Sequence, residues 1–552
     1  MFKRFYTSLV NRLSGSDAPT KHASHPQDHD RSDDDDVDSP RDRGRRPNKN
    51  RDKNRDNYRN KGRAKAKATK RQQDMSDPPK DHPIATLSRE EHGLSRKQMS
   101  EKALSVVYGL RRAGFDAYLV GGCIRDLMLG GQPKDFDVAT NATPEQVKQQ
   151  FKWARIVGRR FKIAHVSYGR EIIEVTTFRA AHQDADSAKT SHGANRTALA
   201  NDQGMLLRDN VYGSLREDAL RRDFSINALY YTVDQFQVLD YVGGIDDLRN
   251  RVIRIIGDAE TRYSEDPVRL LRAIRFKAKL GFEFDPATAE PIARCGPLLN
   301  QVAAPRLFDE IIKLFLHGNG RATLELLFDY DLFRQLFPFT EQALSSDDNN
   351  ANQASRYRRL LQHALDNTDQ RIAQRKPVTP AFLYAALLWP VVAEHSDQLV
   401  QQGETKLRSL QLAGFAALDA QLPIVTIPKR FSIAMREIWN LQSRLENARL
   451  DNRQHKRTLA LLDNPRFRAA YDFLLLREQA GEALQEYTDY WTKVQEEQGP
   501  RVKDRHGRPR ANDKSHPKRR RRKHRGKSET NSQSTTSRTS ADHSAAEDPR
   551  RQ

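Results

Sequence analysis

The chain has 552 residues and a formal net charge of +21, which is enough for several domains at about 100–200 residues each. Its two cysteines, Cys123 and Cys295, exclude a disulfide framework and offer no spacing for zinc. The longest apolar run, 381–393, is too short to span a bilayer and contains Pro390, so it predicts a buried helix capped by Thr379.

The positive charge is concentrated in two segments. Residues 41–71 contain 15 Lys and Arg against 3 Asp and Glu, and residues 501–527 contain 14 against 2. Neither segment has the periodic apolar residues that a packed core requires. We therefore expect disordered basic arms, a leader at 1–84 and a tail at 500–552, that hold a polyanion through counterion release.

The first ordered elements surround a pair of glycines. Residues 95–113 have helical periodicity, and a strand at 117–120 follows. The strand runs into Gly121 and Gly122, where a missing Cβ lets backbone N–H groups approach a triphosphate. A short helix then carries Arg125 and Asp126, and it should end at a C-cap formed by residues 130–131.

The next strand carries two carboxylates. Asp135 and Asp137 are two residues apart, so strand alternation places both on one face. Side-by-side carboxylates repel each other unless a cation lies between them. Mg²⁺ fits this site because it accepts one or two carboxylates and completes its shell with substrate phosphates.

A third acidic group would complete a two-metal site or accept a proton. We expect a helix opening at Thr143, strands at 164–168 and 171–178, and a mobile loop at 180–204. Glu174 lies mid-strand among apolar neighbours, which gives it the better strand geometry. Asp223 lies in the dense polar segment RRDFSIN at 221–227 and is the other candidate.

The remaining chain is predicted to be mostly helical. Asp266 should cap a helix whose first residue is Pro267, and amphipathic stretches follow at 306–316 and 321–330. The fold class is therefore α+β: a small mixed β-sheet with helices, followed by an elongated all-α neck and body. The expected boundaries are 85–257 for the head, 258–335 for the neck and 336–499 for the body.

The motif LVGGCIRD at 119–126, followed by DFD at 135–137, resembles the class II branch of the DNA polymerase β-like nucleotidyltransferases. That branch contains bacterial poly(A) polymerases and CCA-adding tRNA nucleotidyltransferases. The segment GRRF at 158–161, with His165 and Val166 after it, looks like the poly(A) polymerase I version. Arg159 and Arg160 would contact RNA phosphates, whereas His165 itself fits a satisfied core histidine.

The resemblance implies roles for further residues, and it covers residues 85 to about 500. Arg222 and Asn227 would hold the triphosphate and ribose. Asp223 falls where an active-site acid is commonly assigned, so the resemblance places it ahead of Glu174. In the segment EDPVR at 265–269, the acid and the arginine would read the base edge. The implied nucleotide site comprises Gly121, Gly122, Arg125, Asp126, Arg222, Asn227, Asp266, Arg269, Arg272 and Arg275.

These features predict a polynucleotide adenylyltransferase that transfers AMP from ATP to RNA 3′-hydroxyls without a template, releases pyrophosphate and promotes RNA turnover. It would use two Mg²⁺ ions, with Mn²⁺ as a substitute. The alternatives are a CCA-adding enzyme and a non-catalytic RNA-binding scaffold. We expect a cytoplasmic monomer with an RNA helicase or degradosome proteins as partners, and residues 1–13 also fit a basic helix at a membrane surface.

Overall fold

The computed structural model describes residues 82–158, 162–180, 198–200, 206–209, 211–345, 351–447 and 459–498. The basic segments 41–71 and 501–527 lie outside these ranges, and so do Arg159 and Arg160. In the described ranges, no helix combines the length and the apolar character needed to span a membrane.

The strands fall in the first half of the described chain. They are β1 Ala85–Leu87, β2 Ala117–Val120, β3 Asp137–Thr140, β4 Ala154–Val157, β5 Ile163–Tyr168, β6 Glu171–Thr177, β7 Ala198–Ala200, β8 Leu206–Asp209, β9 Leu229–Tyr231, β10 Val238–Asp240, β11 Val252–Ile253 and β12 Glu283–Phe284. Eight of them form one sheet, in the order β1-β10-β9-β2-β3-β6-β5-β4. Strands β11 and β12 form a separate pair, as do β7 and β8.

The large sheet is mixed, as predicted, because β3 and β6 run parallel while its other neighbours are antiparallel. The two faces of strand β6 differ in their exposure to solvent. Ile173 and Val175 are buried on the side where the helices Glu101–Arg112 and Pro144–Gln150 pack. Ile172 and Glu174 alternate with them and remain exposed on the other side.

The described helices continue to residue 498, the end of the described ranges. They are Arg89–His92, Glu101–Arg112, Gly122–Met128, Pro144–Gln150, Leu215–Arg221, Gly244–Asn250, Ala259–Glu265, Val268–Leu280, Pro286–Ala289, Pro291–Cys295, Ala304–Phe315, Gly320–Asp329, Phe333–Leu336, Pro338–Leu344, Ala351–Ala373, Pro380–Gln401, Lys406–Gln421, Lys429–Glu446, Phe467–Gln479 and Gln485–Gln498. The α+β head followed by a helical body is thus confirmed. A continuous apolar core joins the sheet to many of these helices.

Two predicted caps are confirmed by hydrogen bonds. The Thr143 hydroxyl accepts from the Gln146 amide, and Pro144 follows it at the first helical position. The Thr379 side chain likewise accepts from the Phe382 amide at the start of the buried helix Pro380–Gln401. A Ser, Thr or Asp side chain at this position satisfies amide groups that have no partner within the helix.

Three element boundaries differ from the predictions. The helix expected at 95–113 is split, because Ser100 accepts from the Ala103 amide and starts a new helix at Glu101. The helix expected to begin at Pro267 begins one residue later, with Pro267 in the capping position. The stretch expected to be a loop at 180–204 contains β7, which pairs with β8.

Candidate active site

The glycine turn between β2 and the helix Gly122–Met128 has the geometry that the sequence predicts. Gly121 has a φ of 84°, a conformation that residues with a Cβ rarely adopt. A Cβ there would lie 3.7 Å from Asp137 Oδ2 and 3.8 Å from Arg222 Nη1. The backbone of Gly121 therefore lies directly beside the side chains of Asp137 and Arg222.

The C-terminal end of this short helix is fixed by the predicted glycine pair. The Gly130 amide donates to the Leu127 carbonyl over 3.0 Å, and the Gly131 amide donates to the Asp126 carbonyl over 2.8 Å. Together with a Gly130 φ of 76°, these bonds form a Schellman motif. The helix that carries Arg125 and Asp126 is thus held at both ends by glycines.

The carboxylate strand begins later than expected. Strand β3 starts at Asp137, so Asp135 lies in the segment before it and is exposed. Phe136 is buried between the two acids. Burial and the negative charges of Glu174 and Asp135 raise the pKa of Asp137 to about 6, although Arg222 opposes the shift. The protein alone therefore does not fully stabilise the negative charge of ionised Asp137.

Glu174 is brought to this acid by the strand pairing. It is the register partner of Asp137 on the adjacent parallel strand β6, and its side chain is 50% exposed. On the other side, Glu174 pairs in register with His165, whose Nε2 lies 3.6 Å from Glu174 Oε1. The prediction of a core histidine is wrong, because His165 lies on the polar face of β5, where an acid faces it.

Asp223 has a different environment. Its Oδ2 accepts from Arg272 Nε over 2.6 Å, while its Oδ1 accepts from the Phe224 amide and from Asn227. Burial opposes ionisation, but the Arg272 guanidinium and these hydrogen bonds hold the pKa of Asp223 well below its usual range. Asp223 is therefore a neutralised partner of an arginine, whereas Glu174 is the acid aligned with Asp137.

Arg222 lies opposite the carboxylates and is held from behind. Its Nε donates to the Tyr230 hydroxyl over 2.8 Å, and its Nη2 donates to Asp218 over 3.0 Å. The Tyr230 hydroxyl itself donates to Asp218 over 2.7 Å. Asp218 and Tyr230 were not singled out from the sequence. The only available signal was the four-residue spacing of Asp218 and Arg222, which suits one helical face.

Three residues of the predicted nucleotide site form hydrogen bonds mainly with one another: Arg125, Asp126 and Asn227. The buried Arg125 guanidinium donates to Asp126 over 2.6 Å and to the Asn227 side-chain oxygen, and it lies over the Phe276 ring. Asp126 also accepts from Lys279 over 2.8 Å. This network ties the glycine turn to the helix Val268–Leu280.

The side chains of the two residues expected to read the base, Asp266 and Arg269, bind different partners. Asp266 binds Arg306 through two hydrogen bonds of 2.7 and 2.8 Å. Arg269 donates to Glu265 over 2.9 Å and to the Arg262 carbonyl over 2.6 Å. Sequence reasoning missed Arg306, whose only signal was its place at the start of an amphipathic helix.

Arg272 and Arg275 are both partly buried. Both guanidinium groups lie 5.6 Å from the centre of the Phe276 ring, and Arg275 also lies 3.6 Å from Glu310. Burial and the positive charge of Arg272 lower the pKa of Arg275 to about 10. The charges of Arg272 and Arg275 thus oppose each other, while Asp223 and Glu310 partly compensate them.

The carboxylates fit a divalent cation taken up together with its substrate. In the described part of the chain, no three His, Cys, Asp or Glu side chains are arranged as a metal-binding group. Burial, together with the negative charges of Glu174 and Asp135, nevertheless raises the pKa of Asp137 to about 6 and so disfavours its ionised form. A hard cation bound by one or two of these acids and by substrate phosphates would remove that penalty.

Comparison with known families agrees with this arrangement. The model described as the poly A polymerase head domain matches residues 117–254. The model described as a probable RNA and SrmB-binding site of polymerase A matches residues 281–344, and the one described as the polymerase A arginine-rich C-terminus matches residues 402–527. Together these matches extend over the glycine turn, the carboxylates and much of the helical chain.

Curated relatives give the same result. Poly(A) polymerase I of Salmonella typhimurium is 46% identical over 76% of this chain and 88% of its own length. Poly(A) polymerase I of Escherichia coli O6:H1 is 48% identical over 75% and 86%. A CCA-adding enzyme of Lactobacillus helveticus is 36% identical but covers only 42% and 54%. The chain therefore belongs to the bacterial poly(A) polymerase I family.

Proposed function

We propose that this chain adds AMP from ATP to the 3′ ends of RNA without a template, releases pyrophosphate and so promotes RNA turnover. The main structural support is the alignment of Asp137 with Glu174, next to the Gly121 turn and Arg222. A poly(A) polymerase I relative at 48% identity over most of both chains supports the same reaction. A CCA-adding enzyme is only a more distant relative.

The ATP phosphates would lie at the glycine turn. Gly121 and Gly122 expose backbone there, and Arg222 is oriented toward the same point by Asp218 and Tyr230. A guanidinium held in place from behind loses little side-chain entropy when it binds a phosphate. Arg125, Asp126 and Asn227 would support this turn through the network described above.

Asp135 and Asp137 would hold the divalent cation, Mg²⁺ or Mn²⁺, with two ions as the full complement. When bound, such cations stabilise negative charge on the attacking and leaving oxygens of the transfer. Glu174, aligned with Asp137 and half exposed, would accept the proton of the RNA 3′-hydroxyl. Asp223, the other candidate acid, would act by holding Arg272 and Asn227 in place.

Base selection would depend on the segment 265–269. Asp266 can accept from the exocyclic amino group of adenine, and Arg306 fixes the orientation of its carboxylate. Arg269 can donate to a ring nitrogen once ATP competes with its present partner Glu265. Arg272 and Arg275 would add positive charge along the adjoining nucleotide path.

The division of the chain follows from these roles. We assign catalysis to residues 85–257, base and RNA binding to 258–335, and RNA binding to 336–499, with the basic segments 1–84 and 500–552 as additional RNA contacts. Arg159 and Arg160 would contact RNA phosphates. The match of 281–344 to a probable RNA and SrmB-binding site supports RNA as a neck ligand, and we assign the RNA helicase partner to the same segment. We further propose that the protein is a cytoplasmic monomer and that degradosome proteins are among its partners.

Incubation of the purified protein with a non-tRNA oligonucleotide and each nucleoside triphosphate separately tests this function. ATP alone should produce long tails, and Asp137→Ala should produce none while RNA affinity is retained. Efficient use of CTP would instead indicate a CCA-adding enzyme. Tailing by Asp137→Ala at a tenth of the wild-type rate would contradict the catalytic assignment.

A further inference from the structure

One face of the large sheet continues past the carboxylates without a break. The register partners run from Asp137 to Glu174, then to His165 and then to Arg155 on the edge strand β4. Side chains that are partners across neighbouring strands lie on the same face. With strands spaced about 4.8 Å apart, this row extends about 14 Å from the catalytic acid.

Two residues of this face are exposed in the described part of the chain. Ile172 lies two residues before Glu174, on the same face of β6, and its side chain is 49% exposed. Arg155 is exposed as well, and in the described part of the chain no carboxylate forms an ion pair with it. The alternate residues Ile173 and Val175 already fill the covered face. An isoleucine and an arginine are therefore presented to solvent beside the acids.

The position of ATP decides which substrate this face can receive. The phosphate-binding elements, Gly121 and Arg222, lie on the β2 and β9 side of Asp137. Strands β6, β5 and β4 extend from the opposite side of Asp137. In an in-line transfer the attacking hydroxyl and the leaving pyrophosphate must lie on opposite sides of the reacting phosphate. The open strands are thus on the side from which the hydroxyl approaches.

We propose that the open face of β4, β5 and β6 is the subsite for the last nucleotides of the RNA primer. Ile172 contacts the 3′-terminal base, and Arg155 binds a backbone phosphate farther along the strand. An apolar side chain can pack on the face of any base, and a guanidinium can bind any phosphate. This subsite rests on the proposed polyadenylation and adds the residues that position its RNA substrate.

Two measurements on the full-length protein test the subsite. The first uses an oligonucleotide whose 3′-terminal base is 4-thiouridine, photo-crosslinked without ATP so that no turnover is needed. Trypsin cleaves after Arg170 and Arg179, so the cross-linked base should be found on peptide 171–179. Cross-links confined to other peptides would overturn the proposal. A cross-link here from a protein that fails to extend RNA would reject polyadenylation but retain the subsite.

The second measurement compares primers with and without a 3′-terminal base. Loss of the base should raise the wild-type KM for RNA about fivefold to tenfold, which is the lower end of what stacking of a base on an aromatic side chain contributes. Ile172→Ala should reduce this discrimination to less than about twofold, and Ile172→Met should restore it. Arg155→Ala should keep the base discrimination but raise the KM of both primers and flatten its salt dependence.

Matched controls separate the subsite from general effects. Ile84 is an exposed isoleucine next to β1, at the opposite edge of the sheet, and Arg112 is an exposed arginine on the covered side. Ile84→Ala and Arg112→Ala should leave both primer KM values unchanged. If Ile172→Ala instead lowers kcat with an unchanged RNA KM, the residue acts only through Glu174 and the subsite is rejected. The KM for ATP should remain constant throughout.

Discussion

Asp137 and Glu174 are direct register partners on the parallel strands β3 and β6, and burial together with the charge of Glu174 raises the pKa of Asp137 to about 6. The protein thus keeps two acids together at a cost in stability. In such a pair, a divalent cation contributes both to catalysis and to stability.

The first prediction concerns Asp137 and pH. The pKa of Asp137 is about 6 in the folded protein, against 3.8 for an unperturbed aspartate. Between these pH values the folded state therefore binds more protons than the unfolded state. Stability without metal should therefore fall as pH rises through this window. At pH 7, Asp137→Asn should raise the metal-free unfolding free energy by about 1–3 kcal/mol while it abolishes nucleotide addition. Denaturant unfolding at pH 4 and pH 7 measures the effect, and equal differences at both values would contradict it.

The second prediction separates the two candidate acids. Glu174→Gln should lower kcat by at least about a hundredfold, because the side chain acts on a proton. It should leave the unfolding free energy unchanged or slightly higher, because it removes a charge that opposes ionised Asp137. Asp223→Asn should lower the unfolding free energy by up to about 3 kcal/mol, since it leaves Arg272 without its main partner. Steady-state kinetics and denaturant unfolding on both variants decide between them. A stable, inactive Asp223→Asn would make Asp223 the catalytic acid.

The third prediction uses the contact between Arg306 and Asp266. If Arg306 orients the acid that reads adenine, Arg306→Met and Asp266→Asn should each lower the preference for ATP over CTP about tenfold or more. The double variant should then be little worse than either single variant, because the two residues act as a unit. The ratio of kcat/KM values for the two nucleotides is the measurement. Arg294→Ala is the control, because Arg294 pairs with exposed acids instead. Additive losses would show that Arg306 does not act through Asp266.

The fourth prediction concerns the C-terminal basic segment. Deletion of residues 501–552 removes the stretch with 14 basic residues against 2 acids, so RNA affinity should fall and depend less steeply on salt. Turnover at saturating RNA should change little, because the nucleotide site lies elsewhere. Affinity across a salt series should be compared with that of a full-length variant whose Lys and Arg at 501–527 are replaced by Gln. Unchanged slopes in both proteins would show that the segment does not hold RNA.

Local patterns in the sequence predicted local structure well. The strand at 117–120, the glycine C-cap and the caps at Thr143 and Thr379 all depend on neighbouring residues, so a short window contains the necessary information. The exposure of Glu174 among buried neighbours was predictable for the same reason, since strand alternation has a period of two.

Partners distant in the sequence were not predictable from one chain. Arg272 is 49 residues from Asp223, and Arg306 is 40 residues from Asp266, so only the packing of separate helices brings them together. Many arginines satisfy the same charge pattern, and the sequence does not rank them. The error at His165 has a related cause, because its environment is determined by the register of β5 against β6.

The order of strands in the large sheet has a consequence for biosynthesis. Strand β1 is one of the two edge strands, and among the described strands it pairs with β10 alone, whose residues follow about 150 positions later in the chain. The pairing of β2 with β9 spans more than 100 residues as well. Such contacts have a high loop-closure cost and form late in folding. A nascent chain must therefore extend beyond Asp240 before this sheet can close, so nucleotidyl transfer on the ribosome cannot precede synthesis of β10.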